Sequence, residues 1–276
     1  MKPNRTIVVK IGGKEIAPGA ACRQFAGWAA HMARNGVRFV IVHGGGEEVT
    51  RRATALGIPT RLIDGRRVTT PEVLPLVTGI LAGEVNLRIV TNLRRRGLSP
   101  IGLTGASGDL VTARIAEEGR WGLVGEPVQV NSAFLWSLLC NGFTPVIAPL
   151  ASNTGGQILN VNADTFAAAI ASALGTELLF LTDVPGVLRT DGTCIPQITL
   201  EEIPPLVQSG VISGGMIPKV SAASDAVRTG ACRAWIGPLG TVSAHRPFPR
   251  GGTAVVPPAS HPSSQSSPSP TVTGEG

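Results

Sequence analysis

Runs of apolar, β-favouring residues recur along this chain, each separated from the next by a segment with helical spacing. That alternation is the strongest constraint on its fold. Residues 6–11 (TIVVKI), 38–42, 99–103, 144–148 and 177–182 (ELLFLT) read as strands. Helices are expected at 22–34, where Phe25, Trp28, Ala29 and Met32 share a face, and at 47–56, 71–96 (with interruptions), 132–139 and 163–174. Two more helices, near 200–208 and 217–228, precede strands near 233–236 and 253–256. Residues 110–115 and 122–130 predict a hairpin, and 152–156 a loop. Strands with no polar face must be covered on both sides. The expected fold is therefore α/β: a three-layer αβα sandwich with an open, mainly parallel central sheet. Residues 1–256 form the expected domain. Residues 257–276, mostly Pro and Ser, have almost nothing to bury and are expected to be a disordered tail.

Composition removes several function classes. Cys22, Cys140, Cys194 and Cys232 lie far apart with no CxxC pair, which argues against a zinc site or a disulfide framework and fits reduced thiols in a cytoplasm. No apolar stretch approaches the ~18 residues a membrane span needs, so no membrane partner is expected. The net charge of +6 invites a nucleic-acid reading. The arginines are scattered, however, and the one tight run, Arg94-Arg95-Arg96, precedes Gly97 at a helix end, where cations suit the helix dipole. With no tyrosine to help build a stacking platform, anionic small molecules are the better partners, and no nucleic acid is expected.

Four segments place glycines and charges where an open α/β sheet gathers its ligands. Val9-Lys10-Ile11-Gly12-Gly13 ends a strand on a lysine and two glycines, either a tight turn or a close backbone approach to a ligand. Val42-His43-Gly44-Gly45-Gly46-Glu47 opens a helix with exposed amides, an arrangement that binds anions. It is neither a Walker A loop nor a GxGxxG signature, and His43 reads as a structural hydrogen-bonding residue rather than a base. Asn160-Val161-Asn162-Ala163-Asp164 is either ordinary helix capping or the lining of a polar site. Gly214-Gly215-Met216-Ile217-Pro218-Lys219 puts a lysine in the first turn of a helix, the electrostatically unfavourable end, where it makes better sense facing an anion.

In this order and spacing the segments VKIGG, VHGGG, GRRVT (65–69), NVNAD, TDVPGVL (182–188) and GGMIPKV resemble the amino-acid kinase family, and most closely its members that act on N-acetyl-L-glutamate. The resemblance spans residues 6–256, and GGMIPK together with NVNAD is specific. It implies transfer of the γ-phosphoryl group of ATP to the side-chain carboxylate of N-acetyl-L-glutamate, a step of arginine biosynthesis. Mg²⁺ would be held mainly through the nucleotide phosphates rather than by a protein metal site. It further implies a cytoplasmic homodimer.

By the same resemblance, Lys10 and Lys219 would stabilise the transferring group and Asp164 would hold both lysines. Gly12, Gly13, Gly45 and Gly46 would supply amides near the phosphoryl and the acceptor. Arg67 would grip the acceptor α-carboxylate, and Asn160 would complete the acceptor pocket. Asp183, Val184, Pro185, Gly186, Val187 and Leu188, with Val211, Ile212 and Ser213, would line ATP. Many relatives carry a lysine-containing GKDG turn where this chain has Gly105-Ala106-Ser107-Gly108-Asp109, and Arg66 stands where the family is usually apolar. The rival readings are a kinase for a related N-acylated acidic amino acid, such as an aminoadipate derivative, and a non-catalytic nucleotide or amino-acid sensor.

Overall fold

The computed structural model describes residues 5–63, 65–239 and 251–258, leaving aside the side chain of Lys14. Beyond position 258 the expected tail lies outside the described residues.

The first half contains β1 (Arg5–Ile11), α1 (Ala20–Arg34), β2 (Val37–His43), α2 (Gly46–Ala55), β3 (Leu62–Ile63), β4 (Arg66–Arg67), α3 (Leu74–Thr78) and α4 (Asn86–Arg94). It continues with β5 (Pro100–Thr104), β6 (Val111–Ile115), β7 (Val124–Val130) and α5 (Ser132–Cys140). The second half runs β8 (Thr144–Ala148), β9 (Leu150–Ser152), β10 (Ile158–Val161), α6 (Ala163–Leu174) and β11 (Glu177–Leu181). It closes with β12 (Gln197–Thr199), α7 (Ile203–Gln208), α8 (Met216–Arg228), β13 (Arg233–Gly237) and β14 (Thr253–Val256).

Eight strands form the central sheet in the order β12-β14-β13-β11-β1-β2-β8-β5. Every pairing in it is parallel except β13 with β14. The strand pleat sends alternate side chains to opposite faces. In β1, Val8 enters a cluster with Phe166, Ala167 and Ile170 of α6, whereas Ile7, Val9 and Ile11 enter a second cluster with Phe25 and Ala29 of α1. Two separate cores on the two sides of one sheet are what the strongly apolar strands require. The i, i+3, i+4 spacing of Cys22, Phe25, Ala26, Ala29, Ala30 and Met32 accounts for α1, since those side chains are its buried stripe.

Three features differ from expectation. First, α3, a π-helical segment (Gly79–Val85) and α4 run together as Leu74–Arg94, a 21-residue helix that contains an 18-residue stretch of mean hydropathy 1.3. By length and composition it is apolar enough to cross a membrane, correcting the expectation that no stretch comes near this. Glu84 and Arg88 obscure the pattern in the sequence. In the fold Val77, Ile80, Leu81, Val85, Ile89 and Leu93 are buried against the sheet, and core helices pass the same length test. Second, the expected loop at 152–156 is present, but the strands β9 and β10 that flank it were not expected; they form an antiparallel pair that joins β6 and β7 in a small closed barrel, in the order β10-β7-β6-β9. The expected hairpin of β6 and β7 is present within it. Third, the short strands β3, β4 and β12 were not expected; two or three residues carry no readable period.

Candidate active site

The chain reverses direction of travel across the sheet at β1, with β2 on one side and β11 on the other. The carboxyl ends of these three strands open onto one crevice, the position where such sheets bind ligands. Gly12 and Gly13 follow β1, Gly44 to Gly46 follow β2, and Thr182 and Asp183 follow β11. The Gly44 amide donates to Ile11 O at 2.7 Å, which ties the first two turns together. Gly45 has φ +153°, and a Cβ there would lie 2.5 Å from Leu81 Cδ2, so no side chain fits.

The crevice holds two cavities. The larger, about 520 Å³, is lined among others by Gly44, Gly45, Gly46, Arg67, Asn160 and Asp164. The smaller, about 200 Å³, is lined by Glu15, Leu181, Thr182 and Asp183. Lys10, Gly12, Gly13, Glu47 and Lys219 border both.

At the junction Asp164 lies between the two lysines. Lys10 Nζ is 2.8 Å from Asp164 Oδ1, and Lys219 Nζ is 3.3 Å from Oδ2. The local sequence explains how. Asn162 caps α6, its Oδ1 accepting from the amides of Asp164 (2.9 Å) and Thr165 (3.1 Å). With Asn162 taking the capping role, the Asp164 carboxylate is free to meet the lysines, so NVNAD is both a cap and a polar site. Burial alone would push the Asp164 carboxyl up; the adjoining Lys10 and Lys219 outweigh it and hold it below its ordinary value. Three charges of this kind leave one net positive charge facing the cavities.

Arg67 reaches in from β4. Its Nη2 donates to Gly46 O (2.9 Å) and Thr50 Oγ1 (2.6 Å), while its Nη1 is buried with no hydrogen-bond partner. A buried guanidinium nitrogen without a partner is costly unless an anion meets it. Desolvation lowers its pKa from the ordinary value. Asn160 Nδ2 donates to the buried Thr69 Oγ1 at 3.0 Å. His43 is wholly buried, with Nδ1 2.8 Å from Gly44 O and Nε2 3.1 Å from Asn86 Nδ2. Burial drives its pKa down to about 4.

The structure thus brings together Lys10, Lys219, Asp164, Gly12, Gly13, Gly45, Gly46, Arg67, Asn160 and Asp183. Val184, Pro185, Gly186, Val187, Leu188, Val211, Ile212 and Ser213 line neither of these two cavities. Val187 and Ile212 are buried, and the Val187 amide donates to Thr253 Oγ1 at 2.8 Å. Sequence reasoning missed Glu15, Glu47 and Arg66. Glu47 stood in plain view beside the triple glycine. Glu15, whose carboxyl burial and then Asp183 push up, carries no sequence signal.

A model of the amino acid kinase family matches residues 5–238. An acetylglutamate kinase from Geobacillus stearothermophilus is 41% identical over 227 residues, covering 81% of this chain and 86% of that protein. One from Gluconacetobacter diazotrophicus is 40% identical over 238 residues, covering 82% of this chain and 76% of the other. Among solved structures, smu.665 from Streptococcus mutans UA159 superposes with a TM-score of 0.76 at 29% identity, over 91% of this chain and 98% of that one.

Proposed function

This chain belongs to the amino acid kinase family, and on that premise we propose that it transfers the γ-phosphoryl group of ATP to the side-chain carboxylate of N-acetyl-L-glutamate. The product is N-acetyl-L-glutamyl 5-phosphate, for arginine biosynthesis. The acetylglutamate kinases at 40% and 41% identity support the substrate pair. The observation that carries the chemistry is Asp164 between Lys10 and Lys219.

A carboxylate acceptor is already ionised at neutral pH, so the reaction needs no general base. This agrees with a site whose buried histidine stays neutral. The obstacle is to bring two anions together, and positioning with charge stabilisation overcomes it. Lys10 and Lys219 stabilise charge on the transferring group, with Asp164 fixing both ammonium groups. Arg67 receives the α-carboxylate through its unpartnered Nη1, and Asn160 closes the acceptor side. The amides of Gly12, Gly13, Gly45 and Gly46 face the phosphoryl and acceptor. Asp183 to Leu188 and Val211 to Ser213 remain the proposed nucleotide lining, of which Asp183 reaches the smaller cavity.

Among the described residues no three His, Cys, Asp or Glu side chains converge as a metal cage. Glu15, Glu47 and Asp183 border the smaller cavity without converging, a donor set that fits Mg²⁺ carried on the triphosphate, where it neutralises phosphate charge. The four free thiols fit a reducing cytoplasm, and membership of the amino acid kinase family is what supports a homodimer as the assembly.

Trapping of acyl phosphate by hydroxylamine, with Mg-ATP and a panel of N-acetylglutamate, glutamate, aspartate and aminoadipate derivatives, tests this reading. Hydroxamate should form from N-acetylglutamate and vanish in Lys219→Ala. Turnover of another acceptor alone would keep the chemistry and change the substrate. No product from any acceptor, in folded protein that binds ATP, would make the chain a sensor.

A further inference from the structure

The strands β3 and β4 pair over only two residues, Leu62 with Arg67 and Ile63 with Arg66. A ladder that short does not hold itself in water, so the position of Arg67 depends on what the hairpin docks against. That partner is Trp121, which is 2% exposed and packs with Ala116 and Val124 in a small cluster apart from the two main cores. Ile63 and Val68, flanking β4, pack on the same cluster.

Polar contacts tie each strand to this one side chain. The Trp121 indole Nε1 donates to Ile63 O of β3 at 3.2 Å. From β4, the Arg66 guanidinium lies over the indole ring, 4.5 Å from its centroid, an arrangement the ring quadrupole favours. Arg66 also pairs with Glu126 at 3.7 Å, and Arg114 holds the same carboxylate at 3.2 Å. Just past the hairpin the Thr69 amide donates to Trp121 O at 2.9 Å. Arg66, at the border of the larger cavity, is thereby engaged by Trp121 and Glu126, while its neighbour Arg67 reaches Gly46 and Thr50 in the same cavity.

We infer that Trp121 and Arg66 form a clasp that positions Arg67 over the acceptor cavity, so that two residues with no predicted role set acceptor affinity. The inference rests on Arg67 being the acceptor-carboxylate ligand. Trp121 lies outside the cavity lining, and Arg66 borders the cavity with its guanidinium held by Trp121 and Glu126, so both act through Arg67.

The test compares Trp121→Leu, Trp121→Phe and Arg66→Leu with the wild type. Losing the indole donor and the stacking face in Trp121→Leu is expected to raise the KM for N-acetylglutamate about tenfold. kcat and the KM for ATP should stay within about twofold, because the lysines and Asp164 are untouched. Trp121→Phe keeps a ring for Arg66 and should recover most of the loss. The double variant Arg66→Leu with Trp121→Leu should be no worse than Trp121→Leu alone. Amide hydrogen exchange in the ligand-free protein should speed up on residues 62–68 but not in α6. Unchanged exchange across the hairpin, or KM values for both substrates rising together, would overturn the clasp. Failure of the wild type to phosphorylate N-acetylglutamate would instead sink the functional reading, and the exchange result would still decide the clasp.

Discussion

Replacing Asp164 by Asn is the sharpest single perturbation of this site. The substitution keeps the shape and removes the charge that joins two lysines whose side chains are 11% and 23% exposed. At an effective dielectric of about 20, contacts at 2.8 and 3.3 Å correspond to about 6 and about 5 kcal/mol of attraction. Desolvation of all three groups and the open cavity offset much of that. Removal of one partner from a buried pair typically costs about 3–5 kcal/mol, and the partial exposure of Lys219 puts the expectation at about 3 kcal/mol. For a domain of this size that is a fall in Tm of about 6–12 °C.

The sign of its pH dependence follows from the direction of the shift. The native carboxyl is held below its ordinary value of 3.8, so its stabilisation is complete above 3.8 and is lost as pH falls through the lower native value. Urea unfolding followed by circular dichroism should therefore show a constant gap between wild type and Asp164→Asn from pH 5 to 8, closing below about pH 4. Because both ammonium groups lose their anchor, kcat should fall by about 10²–10³. Equal stability across this range, or a kcat within a few-fold of wild type, would refute the claim that Asp164 fixes the lysines.

Arg67→Ala should raise the KM for the acceptor by about 100-fold while the KM for ATP stays within about twofold, measured by steady-state kinetics in each substrate. His43 is held neutral down to about pH 4, so the wild type should lose about 3 kcal/mol of unfolding free energy between pH 6.5 and 4 from this group. Urea unfolding of His43→Asn should show a smaller slope over that range. Gly45→Ala should lower Tm by several degrees and cut activity, since the new methyl group meets Leu81 at a φ of +153°. Thermal melts decide it.

The legible parts of this chain are those where one physical demand dominates a long stretch. The strands at the sheet centre had to be apolar on both faces, which is why Thr144–Ala148 and α6 (Ala163–Leu174) carry the bounds read from the sequence. The crevice was legible for a related reason: Lys10 at the end of a buried strand and Lys219 at the start of a helix are each poorly placed without a counter-charge, and Asp164 supplies one. Legibility failed where structure rests on distant contacts. The pairing of β3 with β4 depends on Trp121, more than fifty positions along, and nothing near Leu62 announces it. Leu74–Arg94 misled in the other direction, its charged residues masking an apolar stripe that the sheet buries. Arg66, set aside because its charge does not fit the family pattern, stacks on an indole.

The central claim is that a carboxylate oxygen attacks phosphorus between Lys10 and Lys219. N-acetyl-L-glutamate labelled with ¹⁸O in its side-chain carboxylate tests it directly. With Mg-ATP and hydroxylamine, attack of the labelled oxygen on the γ-phosphorus forms a P–¹⁸O bond. Hydroxylamine then adds at the carbonyl carbon and releases phosphate. Mass spectrometry should find one ¹⁸O in that inorganic phosphate, with the label absent when Lys219→Ala replaces the wild type. Phosphate released without label would mean that ATP is hydrolysed by water and that no acyl phosphate is made.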